Sequence, residues 1–291
     1  MKILIYGSKG WIGQQFLSFM NTTNHTIIEG NERLESISLI DEIKSVEPTH
    51  IIGFTGRTHG KIGDTEYTTI DYLEQEGKLV DNLRDNLYGP INLSLICREL
   101  GIHYTYLGTG CIFEFDEEHP FGEEVNGFNE MSQPNFFGSG YSIVKGFTDK
   151  LLHNFNNSVL NLRIRMPITA ENNCRNFITK ITNYKKICSI PNSMTVLPDF
   201  YPIILNLMEK KNTGTLNLTN PGLISHNEIL TMYREIVDPN FSWENFTVEE
   251  QNKILASKRS NNYLDTSKLE EMYPEVLNIK ESVKKILHQY K

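Results

Sequence analysis

The chain has 291 residues, of which 39% are hydrophobic and 22% charged, so one large domain or two modest ones can bury a sizeable core. The formal net charge of −8 argues against a general nucleic-acid-binding protein, which usually carries a basic face. No apolar run approaches the roughly 18 residues that a membrane helix needs, and no C-x-x-C spacing suggests a zinc site or a redox pair. Met1 leads directly into a strand-like run with no visible signal peptide, so the sequence predicts a reduced, soluble, cytoplasmic protein without a metal site.

The first predicted elements are a strand at Lys2–Tyr6, a glycine-rich turn and a helix at Gln14–Met20. A dinucleotide-binding turn requires this context, because its first glycine permits a tight turn, its second admits a pyrophosphate and its third lets the helix pack closely. The helix N-terminus would offer N–H groups and a positive dipole end to the phosphates. The spacing is G-x-x-G-x-x-G, not G-x-G-x-x-G. The residues predicted to bind the dinucleotide here are Gly7, Gly10, Trp11, Ile12 and Gly13.

A second strand is predicted at His25–Glu29, and its end normally carries the residue that contacts the adenosine ribose. Glu29 could hold a 2′-hydroxyl group and favour NAD, whereas Arg33 could pair with a 2′-phosphate and favour NADP. Ordinary solvated surface is the alternative interpretation of both side chains.

A third strand is predicted at His50–Phe54, so Thr55 and Gly56 lie at the carboxyl end of a strand, where open parallel sheets bind ligands. Both are predicted to contact the cofactor. Arg57 could reach an anionic substrate, or it could be a surface arginine. Because strands and helices alternate and a long helix follows at about 80–100, the predicted fold class is α/β, with a doubly wound parallel sheet.

The fourth predicted strand, Ile102–Leu107, leads into Thr109 and Cys111, and a long loop separates these residues from the next helix. That helix carries Tyr141 and Lys145, which share one face because residues i and i+4 are neighbours on a helix. The lysine charge can lower the pKa of the tyrosine, which could then exchange a proton with a carbonyl or alcohol oxygen. A threonine hydroxyl at the strand end could bind the same oxygen.

The remainder of the chain is predicted to return to the sheet and to add a smaller lobe. A strand at 159–166 precedes Pro167, whose backbone could border the nicotinamide, and Asn176 is a candidate contact to the substrate nucleotide or pyrophosphate. Two helix-start capping boxes are predicted at 225–228 and 247–250. The predicted domains are a dinucleotide-binding core, at 1–166 and about 194–222, and a substrate-binding lobe, at about 167–193 and 223–291.

Motifs over nearly the whole chain resemble the extended short-chain dehydrogenase/reductase family, and most closely the plant-type nucleotide-rhamnose synthase/epimerase-reductases. The residues that carry the resemblance are Gly7/Gly10/Gly13, Asn86–Gly89, Thr109–Glu114, Glu130, Pro134, Asn135, Gly138, Tyr141, Lys145, Arg163–Ile168, Arg175–Ile181, Ile190–Met194, Thr219–Gly222, Ser225–Leu230 and Arg259–Asn262. The resemblance implies a Rossmann-like fold, NADPH as cofactor with NADH possible, and a nucleotide-sugar substrate. It also implies a homodimer.

The resemblance further implies a bifunctional 3,5-epimerase/4-reductase acting on a UDP- or dTDP-4-keto-6-deoxyglucose. It assigns proton exchange at C3 and C5 to Cys111 and Lys180, and it makes Asn135 and Arg259 candidate substrate contacts. A buried, inert thiol is the alternative for Cys111, and a solvated helical lysine is the alternative for Lys180. The alternatives for the whole chain are a 4-reductase that follows a separate epimerase, and a non-catalytic, cofactor-binding regulatory subunit.

Overall fold

The computed structural model describes residues 1–290, and these form two compact units that the chain enters more than once. The first unit comprises Met1–Thr109, Ser139–Arg163 and Tyr201–Leu216. The second comprises Gly110–Gly138, Ile164–Phe200 and the described residues from Asn217 onward. The segment 110–138, which follows the fourth strand of the central sheet, therefore belongs to the second unit.

Twelve strands and eleven α-helices, with two short 3₁₀ helices and one π-helical segment, make up the regular structure of residues 1–290. The strands are β1 (Lys2–Tyr6), β2 (Thr26–Glu29), β3 (His50–Gly53), β4 (Gly60–Ile62), β5 (Thr65–Tyr67), β6 (His103–Thr109), β7 (Val159–Ile164), β8 (Pro167–Ile168), β9 (Lys186–Ile187), β10 (Thr195–Val196), β11 (Gly214–Asn217) and β12 (Glu244–Asn245). The helices are α1 (Trp11–Met20), α2 (Leu39–Val46), α3 (Leu79–Leu83), α4 (Gly89–Leu100), α5 (Gly140–Leu152), α6 (Phe177–Asn183), α7 (Leu197–Glu209), α8 (His226–Ile236), α9 (Val248–Ile254), α10 (Ser267–Met272) and α11 (Ile279–Leu287).

A six-stranded sheet organises the first unit, in the order β11-β7-β6-β3-β1-β2. Strand β1 pairs in parallel with β2 on one side and with β3 on the other, and β3 pairs in parallel with β6. The predicted α/β class with a doubly wound, Rossmann-like parallel sheet is confirmed. The strand order reverses between β1 and β3, and open sheets of this kind bind ligands at such a switch point.

The core of the first unit lies between this sheet and its helices. Strands β1, β3 and β7 are buried along almost their whole length, as expected of a parallel sheet that packs on both faces, whereas the helices bury one face. Its buried members include Leu4, Tyr6, Leu39, Ile43, Ile51, Leu93, Tyr104, Tyr106 and Leu152.

The predicted long helix at about 80–100 is broken into three parts. Between α3 and α4, residues Arg84–Tyr88 form a π-helical segment, in which the N–H of Gly89 donates to the carbonyl of Arg84. Pro90 has no N–H to donate to the carbonyl of Asn86, four residues earlier. The hydroxyl of Thr148 donates to that carbonyl instead, at 2.6 Å. The proline therefore explains why the regular ladder gives way at this point.

The second unit contains its own apolar core, with buried residues that include Ile168, Ile178, Met194, Val196, Ile224, Leu230, Ile279 and Val283. Both predicted capping boxes are confirmed, at Ser225–Glu228 before α8 and at Thr247–Glu250 before α9. Helix α11 is the last element of this unit, and its buried face includes Ile279, Val283 and Ile286.

Across residues 1–290, every helix is too short or too polar to cross a lipid bilayer.

Candidate active site

A cavity of about 490 Å³ opens in the first unit beside the carboxyl ends of β1, β2 and β3. It lies at the switch point of the sheet, where the fold favours ligand binding. Its lining comes from the glycine turn and from the loops that follow β2 and β3, together with part of the π-helical segment. The lining residues are Tyr6–Gly10, Gly30–Glu35, Phe54–Arg57, Arg84, Asp85 and Gly89.

The glycine turn after β1 has the geometry that its sequence predicts. Gly7 has φ = +79°, and a Cβ atom there would lie 2.8 Å from the carbonyl carbon of Phe54. A Cβ atom at Gly13 would lie 2.3 Å from the carbonyl oxygen of Gly7, so only glycine lets α1 approach the turn. Gly10 is the N-cap of α1 and carries no side chain that could cap it. Trp11 and Ile12 form the first turn of α1 and do not line the cavity.

Thr55 provides an independent sign that the cavity receives a polar ligand. Its hydroxyl oxygen is buried and has no hydrogen-bond partner within residues 1–290. An unsatisfied buried hydroxyl is costly, and a ligand that bonds it removes that cost. With the glycine turn and Gly56 beside it, this lining suits a dinucleotide.

Three arginines gather around one carboxylate in the cavity wall. Arg57 forms an ion pair with Asp85, Arg84 does so at 2.8 Å, and Arg33 lies 3.4 Å away. Although burial alone would raise the pKa of Asp85, hydrogen bonds from Arg84 and Arg57 lower it below its ordinary value. Arg57, for which the sequence suggested a substrate contact, therefore lies in the cavity with Arg33, whereas Glu29 does not line it.

Helix α5 carries the predicted tyrosine–lysine pair. Its N-cap, Ser139, accepts a hydrogen bond from the N–H of Ser142 at 3.0 Å, which fixes where the helix begins. Tyr141 lies in the first turn and is half-buried, and Lys145 is buried one turn later. Thr109, also buried, is the last residue of β6 in the same unit.

The ammonium group of Lys145 is held by a tyrosine that the sequence analysis did not single out. It donates a hydrogen bond to the hydroxyl of Tyr106, and its nitrogen lies 4.6 Å from the centre of the Tyr106 ring. Burial raises the pKa of Tyr106 well above its ordinary value, and the nearby Tyr141 and Asp149 add to that effect. Tyr106 therefore stays neutral, and its hydroxyl oxygen accepts the hydrogen bond from the ammonium group.

In the second unit, Cys111 lies beside a buried arginine that was also missed. The guanidinium of Arg165 interacts with the Cys111 thiol, and burial lowers the pKa of Arg165. The same guanidinium donates to the side-chain oxygen of Asn262 at 2.6 Å and to the carbonyl of Ser260 at 2.9 Å. The sequence did contain a signal for this arginine. The strand predicted at 159–166 includes Arg163 and Arg165, and each of these charged side chains needs a partner if the strand is buried.

Lys180 lies on α6 in a partly buried, electropositive environment. Burial lowers its pKa below the ordinary value, and the charges of Arg175 and Arg259 lower it further, against an opposing contribution from Cys174. This is the direction that a proton-accepting amine requires. Arg259 donates a hydrogen bond to the hydroxyl of Ser257 at 2.7 Å.

The remaining predicted site residues in the second unit have visible structural roles. Asn176 is fully buried and caps α6, and its amide nitrogen donates to the carbonyls of Thr169 and Glu171. The side chain of Asn135 bonds both the N–H and the carbonyl of Glu114 at 2.9 Å. Both amides are thus engaged by the protein itself.

Pro167 begins β8, which pairs in parallel with β10. It belongs to the second unit, and its contact with a cofactor remains a prediction.

All four cysteines are free of disulfide bonds. Within residues 1–290, His, Cys, Asp and Glu side chains form no group of three or more that could hold a metal ion.

Comparison with known proteins places the whole chain beside enzymes of nucleotide-sugar metabolism. No family model matches the chain. A bifunctional dTDP-4-dehydrorhamnose 3,5-epimerase/reductase of Arabidopsis thaliana is 44% identical over 98% of this chain and 92% of the plant protein. The crystal structure of the L780 UDP-rhamnose synthase from Acanthamoeba polyphaga mimivirus is 50% identical, covers 99% of both chains and has a TM-score of 0.94.

A more distant solved structure, dTDP-4-dehydrorhamnose reductase from Bacillus anthracis in complex with NADP, shows the same fold. It is 19% identical, covers 98% of this chain and 99% of its own, and has a TM-score of 0.78.

Proposed function

The chain belongs to the nucleotide-sugar 3,5-epimerase/4-reductases of the extended short-chain dehydrogenase/reductase family, and we propose that it converts UDP-4-keto-6-deoxyglucose to UDP-L-rhamnose with NADPH. The observation that supports this proposal is that Thr109, Tyr141 and the buried Lys145 lie in the same unit as a cavity whose lining suits a dinucleotide. The names of the plant and viral relatives supply the substrate class. A regulatory subunit has no need of that complete set.

Reduction uses the group on β6 and α5. The nicotinamide, when bound, supplies hydride to C4 of the sugar. Tyr141 donates the proton that the C4 oxygen requires, and Thr109 donates a hydrogen bond to that oxygen. The positive charge of Lys145 lowers the pKa of Tyr141, which makes the phenol a better proton donor.

Epimerisation uses the second pair of groups, Cys111 and Lys180. The C4 ketone acidifies the C–H bonds at C3 and C5, so a base can remove each proton and an acid on the opposite face can return one. The Cys111 thiol interacts with the guanidinium of Arg165, and burial favours a neutral amine at Lys180. These two side chains are the candidate proton-exchange groups.

The choice of NADPH rests on the cavity wall. Arg33 and Arg84 line it and carry positive charge, whereas Glu29, which would favour NADH, lies outside the lining. A phosphate that accepts a charge-assisted hydrogen bond from Arg33 gains about 1.5–3 kcal/mol of binding free energy.

Replacement of Arg33 by Ser should then lower kcat/KM for NADPH about tenfold or more and leave kcat/KM for NADH nearly unchanged. An equal effect on both cofactors would contradict the assignment.

The activity is tested by incubation of the purified protein with UDP-4-keto-6-deoxyglucose and NADPH in deuterated water. The expected product is UDP-L-rhamnose that carries deuterium at C3 and C5. A product without label would indicate a 4-reductase that needs a separate epimerase, and no turnover would contradict the proposal. Parallel reactions with the dTDP sugar and with NADH establish both preferences.

The protein is further proposed to be a homodimer that covers an apolar face of α3, α4 and α5. Leu83, Leu95, Phe147 and Leu151 on these helices are between 41% and 56% exposed. Exposed apolar side chains on adjoining helices mark an interaction surface, and a second copy of the chain is the partner proposed here. Light scattering should give twice the chain mass for the wild type and the chain mass for Phe147→Glu. The matched control, Phe121→Glu, alters an exposed phenylalanine of the second unit and should stay dimeric.

A cytoplasmic location is also proposed. Cysteines that are free of disulfides fit a reducing compartment, which supports this location. Cell fractionation with antibodies to the protein would test it.

A further inference from the structure

Tyr106 lies in β6, three residues before Thr109, and its ring and hydroxyl both face the ammonium group of Lys145. It is about 1% exposed, so water cannot take its place. Tyr141 lies one turn before Lys145 on α5, on the same side of the helix, and it also contributes to the raised pKa of Tyr106. Tyr106 and Lys145 are thus buried together in the first unit, whereas Tyr141 is half-buried.

A buried ammonium group is stable only where the protein supplies partners for it. Lys145 is 5% exposed, and the Tyr106 hydroxyl supplies a neutral acceptor, while the face of the ring supplies a further attraction for a cation. A lysine side chain has four rotatable bonds, so an acceptor at a fixed place on a strand determines where its charge lies. The charge is effective on Tyr141 only at short range.

We propose that Tyr106 is a positioning residue of the reductase, which holds the ammonium group of Lys145 where its charge acts on Tyr141. The inference rests on the proposed function for its catalytic consequence, but the positioning itself concerns only this chain's own residues. Without the Tyr106 hydroxyl, the ammonium group moves away from Tyr141. The pKa of Tyr141 then rises, because a more distant positive charge stabilises the phenolate less.

Strand β6 also provides a matched control. Tyr104 lies two residues earlier, so its side chain is on the same face of the sheet, and its ring centre lies 6.4 Å from that of Tyr106. Tyr104 is equally buried, but its hydroxyl has no hydrogen-bond partner within residues 1–290. Tyr104→Phe and Tyr106→Phe therefore remove the same atom from similar environments, and only the second removes a contact with Lys145.

The experiment titrates Tyr141 in protein labelled with ¹³C at the tyrosine ζ carbon, with the resonance assigned by its loss in Tyr141→Phe. Tyr106→Phe should raise the pKa of Tyr141 by about one unit, and Tyr104→Phe should leave it unchanged. In turnover assays, Tyr106→Phe should lower kcat at pH 7 about tenfold and move the alkaline limb of the pH profile upward by the same unit. If Tyr106→Phe and Tyr104→Phe have the same pH profile of kcat, the proposal is overturned.

A double-mutant cycle with Lys145→Met distinguishes the positioning role from a purely structural effect of Tyr106→Phe. Once Lys145 is replaced, Tyr106→Phe should cause no further change in the pKa of Tyr141, whereas an undiminished change would overturn the proposal. The titration needs no substrate. If the wild type fails to turn over the keto-sugar while the shift is observed, the proposed function fails and the positioning role stands.

Discussion

At the residue scale, the two proton-exchange candidates lie in different environments. Cys111 interacts with the guanidinium of Arg165, which also donates hydrogen bonds to Asn262 and to the carbonyl of Ser260. Lys180 is partly buried near Arg175 and Arg259, and both burial and like charge favour the neutral amine. The lowered pKa of Lys180 therefore favours its action as a proton acceptor.

Replacement of Cys111 by Ser should strongly reduce proton exchange while leaving the reduction step. Serine is a far weaker acid than a thiol, so it cannot accept the proton at pH 7. We expect deuterium incorporation at one or both of C3 and C5 to fall about a hundredfold or more, with reduction of already epimerised sugar retained. Mass spectrometry of the product measures the label. Cys188→Ala is the control, because burial raises the pKa of that thiol and keeps it protonated. Full exchange in Cys111→Ser would exclude the Cys111 thiol from proton exchange.

Replacement of Tyr141 by Phe should remove the proton donor of the reduction. The expected loss in kcat is about 10²–10⁴-fold, the range of a single general acid, with little change in stability since the residue is half-buried. NADPH oxidation measured at 340 nm with the keto-sugar reports the loss. Tyr88→Phe, which alters an exposed tyrosine of the same unit, should behave as the wild type. An unimpaired Tyr141→Phe variant would remove Tyr141 from this role.

At the element scale, the break between α3 and α4 serves the cavity. The side chain of Asn86, within the π-helical segment, bonds both the N–H and the carbonyl of Arg57 at 2.8 Å. The same segment carries Arg84 and Asp85 into the cavity wall. Local departures from α-helical geometry often occur at functional sites, and here the departure fixes the backbone of the loop after β3.

Two glycines of the turn, Gly10 and Gly13, should contribute differently to protein stability and to cofactor binding. A Cβ atom at Gly13 would lie 2.3 Å from a backbone oxygen, whereas one at Gly10 would lie 3.3 Å from the same oxygen. Gly13→Ala should therefore lower the free energy of unfolding by about 3 kcal/mol. Gly10→Ala should change it by less than about 1 kcal/mol but weaken cofactor binding at least tenfold, because its methyl group would occupy the approach of the pyrophosphate.

Urea unfolding and fluorescence titration with NADPH measure the two effects. If Gly10→Ala binds NADPH as tightly as the wild type, the turn does not bind the pyrophosphate in the way proposed.

The confirmed predictions about the fold depend on residues close together in the chain. The strand, glycine turn and α1 follow one another directly, and Tyr141 and Lys145 lie one turn apart on a helix, so local spacing was sufficient for these elements. The contacts that the sequence did not indicate involve distant partners. The pairing of Arg57 with Asp85 spans 28 residues and that of Lys145 with Tyr106 spans 39, and nothing in the local pattern indicates either. The break before α4 did have a local signal in the sequence, Gly89–Pro90. The apolar periodicity of the region nevertheless led to the prediction of one continuous helix.

At the scale of the whole molecule, the buried ionisable groups make stability depend on pH. His50 and His103 lie side by side at the start of β3 and β6, with ring centres 5.3 Å apart. Burial, and then the neighbouring His103, lower the pKa of His50 to about 4, and burial also lowers the pKa of His103. In the second unit, burial lowers the pKa of His226 to about 4. All three are therefore neutral in the folded protein at pH 7.

These histidines should make the protein lose stability as the pH falls from about 6.5 to about 4. Their folded pKa values lie below the unfolded value of about 6.5, so over this interval the unfolded state binds more protons and is favoured. The free energy of unfolding should fall by about 1.4 kcal/mol per pH unit for each histidine that stays neutral when folded. Asp149 then adds a further loss below about pH 4, because its hydrogen bonds with Arg163 outweigh the effect of burial and lower its pKa to about 2.

Urea unfolding between pH 4 and pH 8 measures the slope. A variant with His50→Gln and His103→Gln removes two of the titrating groups, so its stability should depend less steeply on pH in this interval even if its absolute stability is lower. His288→Gln, which alters an exposed histidine, should keep the wild-type slope. If the double variant and the wild type have the same slope, the two buried rings do not stay neutral in the folded protein, and the acid sensitivity has another source.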